Sequence, residues 1–366
     1  MLRSLEIHNY RNLKHLTIEK LGRVNLLLGK NNTGKTSILE AASILVHEAN
    51  PQWLYRILEA RGEIGYSNLT DATGYLEMNY QAISSLFSDW KAGFLPEDGI
   101  RIQQTLTESY RDADVVLMRL VNYLDEIDEQ GDRISRKLIS DFDANAKLGL
   151  EVALPDVSRI VSLDRRLGRS FSILNLNPNI QFVRTNEISR DVNGLLWDKI
   201  TLTHKQDLTI DALKIIEPDL DLINFVSGSK REERRALVKL RRHNFPIFLS
   251  SMGDGINRIL TIILAMVNCE NGYFLLDEFE NGLHYSVQEQ LWKVVFTVAE
   301  RLNIQVFVTT HSYDCINAFA NVLANEQYKK DFGYMIRLDN YDGDIEATLY
   351  DSEEVQTTTR VHVDPR

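Results

Sequence analysis

Three runs along the chain, residues 24–28, 273–276 and 305–308, are apolar almost throughout, and each gives way to polar residues at its C-terminal end. Short continuous runs of this kind predict strands buried on both faces, as in a parallel sheet covered by helices. Residues 2–9 and 15–19 instead alternate apolar and polar positions, the pattern of half-buried strands. A short apolar strand is expected at 180–183. Helical spacing follows the first run over 36–47, where Ile38, Leu39, Ala42, Ile44 and Leu45 form a stripe. Further helices are expected at 193–200, at 210–216 with Pro218 ending it, at 256–267 and at 284–302. The last lies between two apolar runs and is long enough for a βαβ crossover. Residues 333–338 and 345–350 read as a hairpin turned at 340–344.

The stretch 50–160 is the least periodic. Residues 74–81 and 100–106 read as strands. Residues 111–148 read as mostly helical, with Val115, Val116, Met118, Leu120 and Leu124 at helix-like spacing and a break near Gly131. Such a segment is at most a stub a few tens of ångström long, at about 1.5 Å per residue. The region 60–170 is therefore expected to be an insertion, a β-lobe with a short helical segment, in a single head. Residues 185–270 are expected to form a helical lobe, and 271–350 the C-terminal part of the core.

Composition narrows the class without fixing it. Of 366 residues, 44% are hydrophobic and 25% charged, as in globular proteins. No apolar run reaches about 18 residues, so no membrane span is expected. The N-terminus lacks an apolar signal core, and the two cysteines, Cys269 and Cys315, offer neither a disulfide framework nor a zinc site; a cytoplasmic location is expected. The net charge of −11 argues against a surface that is basic all over. Lys230, Arg231, Arg234, Arg235, Lys239, Arg241 and Arg242 do form a basic cluster, interrupted by Glu232 and Glu233. Without interleaved aromatics it reads first as a solvated ribbon and second as a nucleic-acid phosphate contact.

The chemistry sits where the apolar runs end. Gly29, Lys30, Asn31, Asn32, Thr33, Gly34, Lys35 and Thr36 fit G-x-x-x-x-G-K-[ST] between a strand and a helix, with Ser37 next in line. Glycines there let backbone N–H groups close on phosphate oxygens, and the helix N-terminus favours the anion. Lys35 is expected on the β- and γ-phosphates and the Thr36 hydroxyl on Mg²⁺. Asp277 and Glu278 emerge from the second run, Asp277 as a Mg²⁺ ligand and Glu278 as the base for an attacking water. His311, at the end of the third run, is placed to read the γ-phosphate. Ser251, Met252 and Gly253 precede the helix at 256–267, where a hydroxyl and bare backbone again suit a phosphate.

In chain order these features resemble those of ABC-type ATPases: the Gly29 loop, a signature-like Ser251-Met252-Gly253, Asp277-Glu278, then His311. Met252 and Asp254 depart from the L-S-G-G-Q signature. Leu5-Glu6-Ile7-His8-Asn9-Tyr10-Arg11-Asn12-Leu13 resembles the opening of RecF, SMC and OLD proteins. Ser251 to Arg258, with Asp277-Glu278-Phe279-Glu280-Asn281-Gly282-Leu283-His284, looks most like the OLD branch; His284 stands where transporter ATPases carry Asp. The resemblance covers roughly residues 1–50 and 175–350. It implies an α/β head with a mostly parallel central sheet, an N-terminal antiparallel strand set and a helical signature lobe. It implies ATP hydrolysis with Mg²⁺, Arg11 near the base, and a head-to-tail dimer in which Ser251 and Gly253 meet the partner's ATP. Gln81, Gln103, Gln104 and Gln181 are all candidates for the Gln-containing loop. OLD proteins add a C-terminal Toprim nuclease, for which the roughly 55 residues after His311 are too few; Asp342-Gly343-Asp344 is read as a hairpin turn. The resemblance thus implies a switch ATPase with a separate effector, set in anti-phage defence. The alternative is a RecF-like repair ATPase that binds DNA directly.

Overall fold

The computed structural model of the protein describes residues 1–65, 71–104, 114–127, 133–139, 143–167, 179–185, 190–227, 234–325, 328 and 331–360. Its centre is a six-stranded sheet of β3 (Val24–Gly29), β9 (Ile180–Val183), β13 (Tyr273–Leu276), β14 (Gln305–Thr310), β15 (Gly333–Tyr341) and β16 (Asp344–Tyr350). The order is β16-β15-β3-β14-β13-β9, parallel throughout except for the β15–β16 hairpin. That hairpin turns on Asp342 and Gly343, both with positive φ, the backbone that an Asp-Gly turn supplies.

The continuous apolar runs have a direct reason. Along β3, Val24, Leu26 and Leu28 face one core and Leu27 the other; Phe274 and Leu276 oppose Leu275 on β13, and Val306 and Val308 oppose Phe307 on β14. One core packs α4 (Arg190–Ile200), α5 (His204–Ile216), α6 (Asp254–Val267), α7 (Tyr285–Arg301) and α8 (Tyr313–Leu323) against the sheet, with α9 (Ser352–Arg360) beside β15 and β16. The other holds α1 (Lys35–Val46) between the central sheet and a second, antiparallel sheet. Trp292 of α7, stacked on Phe279 at 4.2 Å, anchors the crossover helix beneath the acidic strand end.

The second sheet departs from expectation. It joins β1 (Leu5–Tyr10) and β2 (Leu13–Ile18) to β4 (Ile100–Gln103), β5 (Val115–Ile127), β6 (Arg133–Ile139), β7 (Lys147–Ala153) and β8 (Ser158–Ser162). The segment expected to be mostly helical is thus strand at all three of its described elements. Val116, Met118 and Leu120 lie in one core, a period of two, and the neighbouring valine at 115 had made the run look helical. The opposite error befell 74–81. It lies in helix α3 (Ala72–Ser84), which Asp71 caps by accepting from the Gly74 N–H at 2.8 Å. A shorter helix, α2 (Pro51–Ala60), precedes it with Asn50 as cap. The strands described within 60–170, β4 to β8, thus share one sheet with the N-terminal strand pair. Residues 185–270 hold α4, α5 and α6 but also a three-stranded sheet of β10 (Leu220–Ser227), β11 (Arg234–Leu240) and β12 (Ile247–Phe248).

Candidate functional site

Three parallel strands end at one edge, and the polar tips predicted from sequence meet there. β3 ends at Gly29, whose φ of +146° and closeness to β15 leave no room for a side chain: a Cβ would lie 2.5 Å from the Leu338 carbonyl oxygen. Asn32 and Gly34 take left-handed backbone, and α1 begins at Lys35. The loop closes on itself, with the Thr33 hydroxyl donating to Lys30 O at 2.9 Å. Lys35 Nζ donates to Gly29 O at 2.7 Å and Lys30 O at 2.8 Å. Burial draws the Lys35 ammonium below the ordinary lysine value, against the pull of Asp277, Glu280 and Glu278.

Opposite the loop, Asp277 follows the buried run of β13. The Thr36 hydroxyl lies 3.0 Å and 3.2 Å from its two carboxylate oxygens, and Thr309 Oγ1 donates to Asp277 Oδ1 at 2.6 Å. An aligned hydroxyl and carboxylate are hard oxygen donors of the kind Mg²⁺ takes, so the residues present fit that ion. Glu278 adopts φ +53°, a left-handed backbone that costs a non-glycine residue on the order of 1–3 kcal/mol. Its N–H donates to Thr309 Oγ1 at 2.8 Å, and Thr185 donates to its Oε2 at 3.2 Å. Lys35, Thr36, Ser37, Asn31, Asn32, Gly34, Asp277, Glu278 and His311 all line one open cleft of about 960 Å³, with Trp90 exposed at its wall.

Several residues that hold this arrangement were not singled out by sequence. Asn12 braces the loop, donating to Asn32 O at 3.2 Å and accepting from Ser37 Oγ at 3.0 Å. Glu280 accepts from the Thr310 hydroxyl at 2.7 Å and from the His311 N–H at 2.9 Å, and its Oε1 lies 3.0 Å from His311 Nδ1. Arg258, buried on α6, donates to the carbonyls of Asp277 at 3.2 Å and Glu278 at 3.4 Å, and burial lowers its pKa against the pull of those carboxylates. It thereby ties α6 to the strained acidic turn. Thr185 is the counterpart at the end of β9. None of these contacts is local in sequence, so no motif spacing announces them.

Arg11, expected near the base, is engaged by carboxylates of its own chain. It lines the cleft, but its guanidinium is held by Glu40 at 2.9 Å and, in a two-pronged contact, by Glu63 at 2.8 Å and 3.0 Å. Glu40 is fully buried and also meets Arg61 at 2.9 Å and Arg184 at 3.0 Å. Burial works to raise the Glu40 pKa, and the three guanidinium groups outweigh it and hold the carboxyl below its usual range. Arg11 is thus a post between the β1–β2 turn and α1.

Ser251, Met252 and Gly253 lie apart from this cleft. They sit on a 3₁₀ turn and at the N-cap of α6, with Ser251 and Gly253 exposed. A Cβ built on Gly253 would meet nothing within 4 Å. Gln81, Gln103, Gln104 and Gln181 are absent from the cleft lining; Gln103 donates to Glu6 and Gln104 to Asp114. In the basic cluster, Arg234 makes a two-pronged contact with Asp198, Lys239 meets Asp221 and Arg242 meets Glu217 and Asp219. Arg235 lies over the Phe248 ring, and Lys230 and Arg231 fall outside the described residues. Among the described residues, no helix is long and apolar enough to cross a membrane.

A family model described as "AAA domain, putative AbiEii toxin, Type IV TA system" matches residues 24–314. The chain is 22% identical over 373 residues to an "ATP/GTP phosphatase" of Helicobacter pylori, a match covering 92% of this chain and 91% of that protein. It is 26% identical over 369 residues to "DNA replication and repair protein RecF" of Rickettsia prowazekii, covering 87% and 97% respectively. Among solved structures it is similar to an Smc head bound to the C-winged helix domain of ScpA, with a TM-score of 0.52 and 13% identity, covering 97% of this chain and 99% of that one. The fold is similar to that of this Smc head.

Proposed function

The chain belongs to this AAA-domain family, and from that premise we propose that it is an ATP-hydrolysing switch of the OLD-like branch, catalysing ATP + H₂O → ADP + Pi at a site shared between two copies. The observation that carries this reading is the division of the polar groups. Loop, acidic strand end and histidine line one cleft, while the Ser251–Gly253 turn lies outside it and exposed.

The geometry supports each role. Lys35 exchanges its two loop carbonyls for phosphate oxygens, and the N–H groups of residues 30 to 36 close on the same anion. Thr36 and Asp277 would hold Mg²⁺, which when bound neutralises charge on the β- and γ-oxygens. Glu278, steadied by Thr185 and by the backbone contacts of Arg258 and Thr309, takes the proton of the attacking water. His311, aimed by Glu280, donates to the γ-phosphate. Ser251 and Gly253 complete the site of the second copy. The ATP/GTP phosphatase name of one relative supports the reaction, and the family's link to a type IV toxin–antitoxin system supports a defence setting with a separate effector protein.

The test is phosphate release by purified chain with ATP and Mg²⁺. Wild type turns over, and Lys35→Ala loses ATP affinity and turnover by at least about 100-fold; equal rates in the two would refute the assignment. A RecF-like DNA-binding ATPase is the second reading, favoured by the likeness to RecF over most of the chain. It requires salt-dependent DNA binding that falls with Arg241→Glu and Arg242→Glu. The acidic partners already held by Arg234, Lys239 and Arg242 weigh against it.

A further inference from the structure

The outer face of the N-terminal hairpin carries a side-chain cluster for which the nucleotide cleft has no use. Glu6 and His8 lie two residues apart on β1 and so share a face. The antiparallel register sets His15 of β2 directly opposite His8. Leu5, Ile7, Leu16 and Ile18, on the other face, are buried in the core, which fixes the register that brings the three polar residues together. His8 Nε2 lies 2.7 Å and His15 Nε2 3.8 Å from the same Glu6 Oε1. All three donor atoms fall within 4.8 Å of one another. The second carboxylate oxygen of Glu6 accepts from Gln103 Nε2 at 2.9 Å, which leaves Oε1 turned toward the histidines.

We propose that Glu6, His8 and His15 form a binding site for a divalent metal ion of the zinc class, separate from the nucleotide cleft. A tetrahedral ion with bonds of about 2.0–2.1 Å sets neighbouring ligand atoms about 3.3 Å apart. The observed 2.7 Å and 3.8 Å straddle that separation. The two imidazoles now stack with centroids 4.4 Å apart and planes 14° from parallel. Binding requires the two rings to turn about their side-chain torsions so that their nitrogens converge on one ion, and His8 Nε2 and His15 Nε2 to give up their contacts with Glu6 and Thr17. Two imidazoles and one carboxylate suit zinc, cobalt or nickel rather than Mg²⁺ or Ca²⁺, which prefer all-oxygen shells. Gln103 supplies the outer contact that orients a ligating carboxylate. Arg101, opposite His8 on β4, is exposed, so solvent screens its charge.

The site has a structural consequence. β1 and β2 are joined by the turn that carries Arg11 and Asn12, and Asn12 braces the phosphate loop. An ion across the hairpin pins those two strands beneath that turn.

The experiment uses untagged full-length protein, stripped with EDTA and dialysed against zinc chloride with excess Mg²⁺ and no nucleotide. Wild type takes up one equivalent of zinc and its Tm rises. The pair His8→Gln with His15→Gln takes up none and shows no rise, and Gln103→Ala, which leaves all three ligands in place, weakens uptake about 10–100-fold. Far-ultraviolet circular dichroism checks that each variant is folded, and single His15→Gln replaces the pair if the pair is not. The proposal is overturned if folded wild type takes up no zinc, or if the histidine variant takes up as much as wild type.

Discussion

The two halves of the proposed catalytic machinery differ in how completely one chain satisfies them. At the cleft, Lys35 is held by two carbonyls, Asp277 by two hydroxyls and the Glu280 carboxylate by His311 and Thr310. At the 251–253 turn, an exposed serine and a glycine with open space around it face solvent. Polar groups that are mutually partnered form a rigid receptor, whereas bare backbone at a helix N-terminus has its largest effect when an anion reaches it. The contrast supports the proposed shared active site, in which each chain brings one preformed half-site and one surface that acts on a neighbour.

The variant Ser251→Arg attacks the exposed half and has the largest expected effect. Steady-state hydrolysis falls by at least about 100-fold while ATP affinity of the single chain stays near wild type. A matching loss of ATP affinity would place Ser251 in its own chain's site and erase the contrast. Glu280→Gln sharpens the preformed half. It removes the charge facing His311 Nδ1, so kcat falls about 10–100-fold with little change in ATP affinity. Unchanged kcat would show that His311 needs no such support. Lys239→Ala has the smallest effect, since Lys239 is exposed and its pair with Asp221 lies in contact with solvent. Urea unfolding should shift by less than about 1 kcal/mol and hydrolysis should not change. A large loss of either would give the basic ribbon a role that its exposed pairs do not suggest.

How much of this was legible in the chain depends on where the information lies. That residues 29–36, Asp277, Glu278 and His311 gather at one place was readable because each follows a short apolar run, and parallel strands bring the ends of such runs to one edge. The parallel sheet itself was readable for the same reason. The antiparallel sheet was not, because Val115, Val116, Met118 and Leu120 satisfy a helical and a strand period at once and only the neighbours β4 and β7 decide between them. In α3 the Asp71 cap was a usable signal that the strand reading passed over. Glu280, Arg258, Thr185 and Asn12 lay beyond sequence reasoning because each acts on residues distant in the chain. The partners of Arg11, Glu40 and Glu63, were not legible either, because they lie far from it in the chain.

The most direct measurement is the mass in solution of Glu278→Gln with saturating ATP and Mg²⁺, alone and combined with Ser251→Arg. The account predicts a trapped dimer for Glu278→Gln, and for the double variant a monomer that still binds ATP. A Glu278→Gln protein that stays monomeric when loaded with ATP, or a double variant that dimerises equally well, would contradict it.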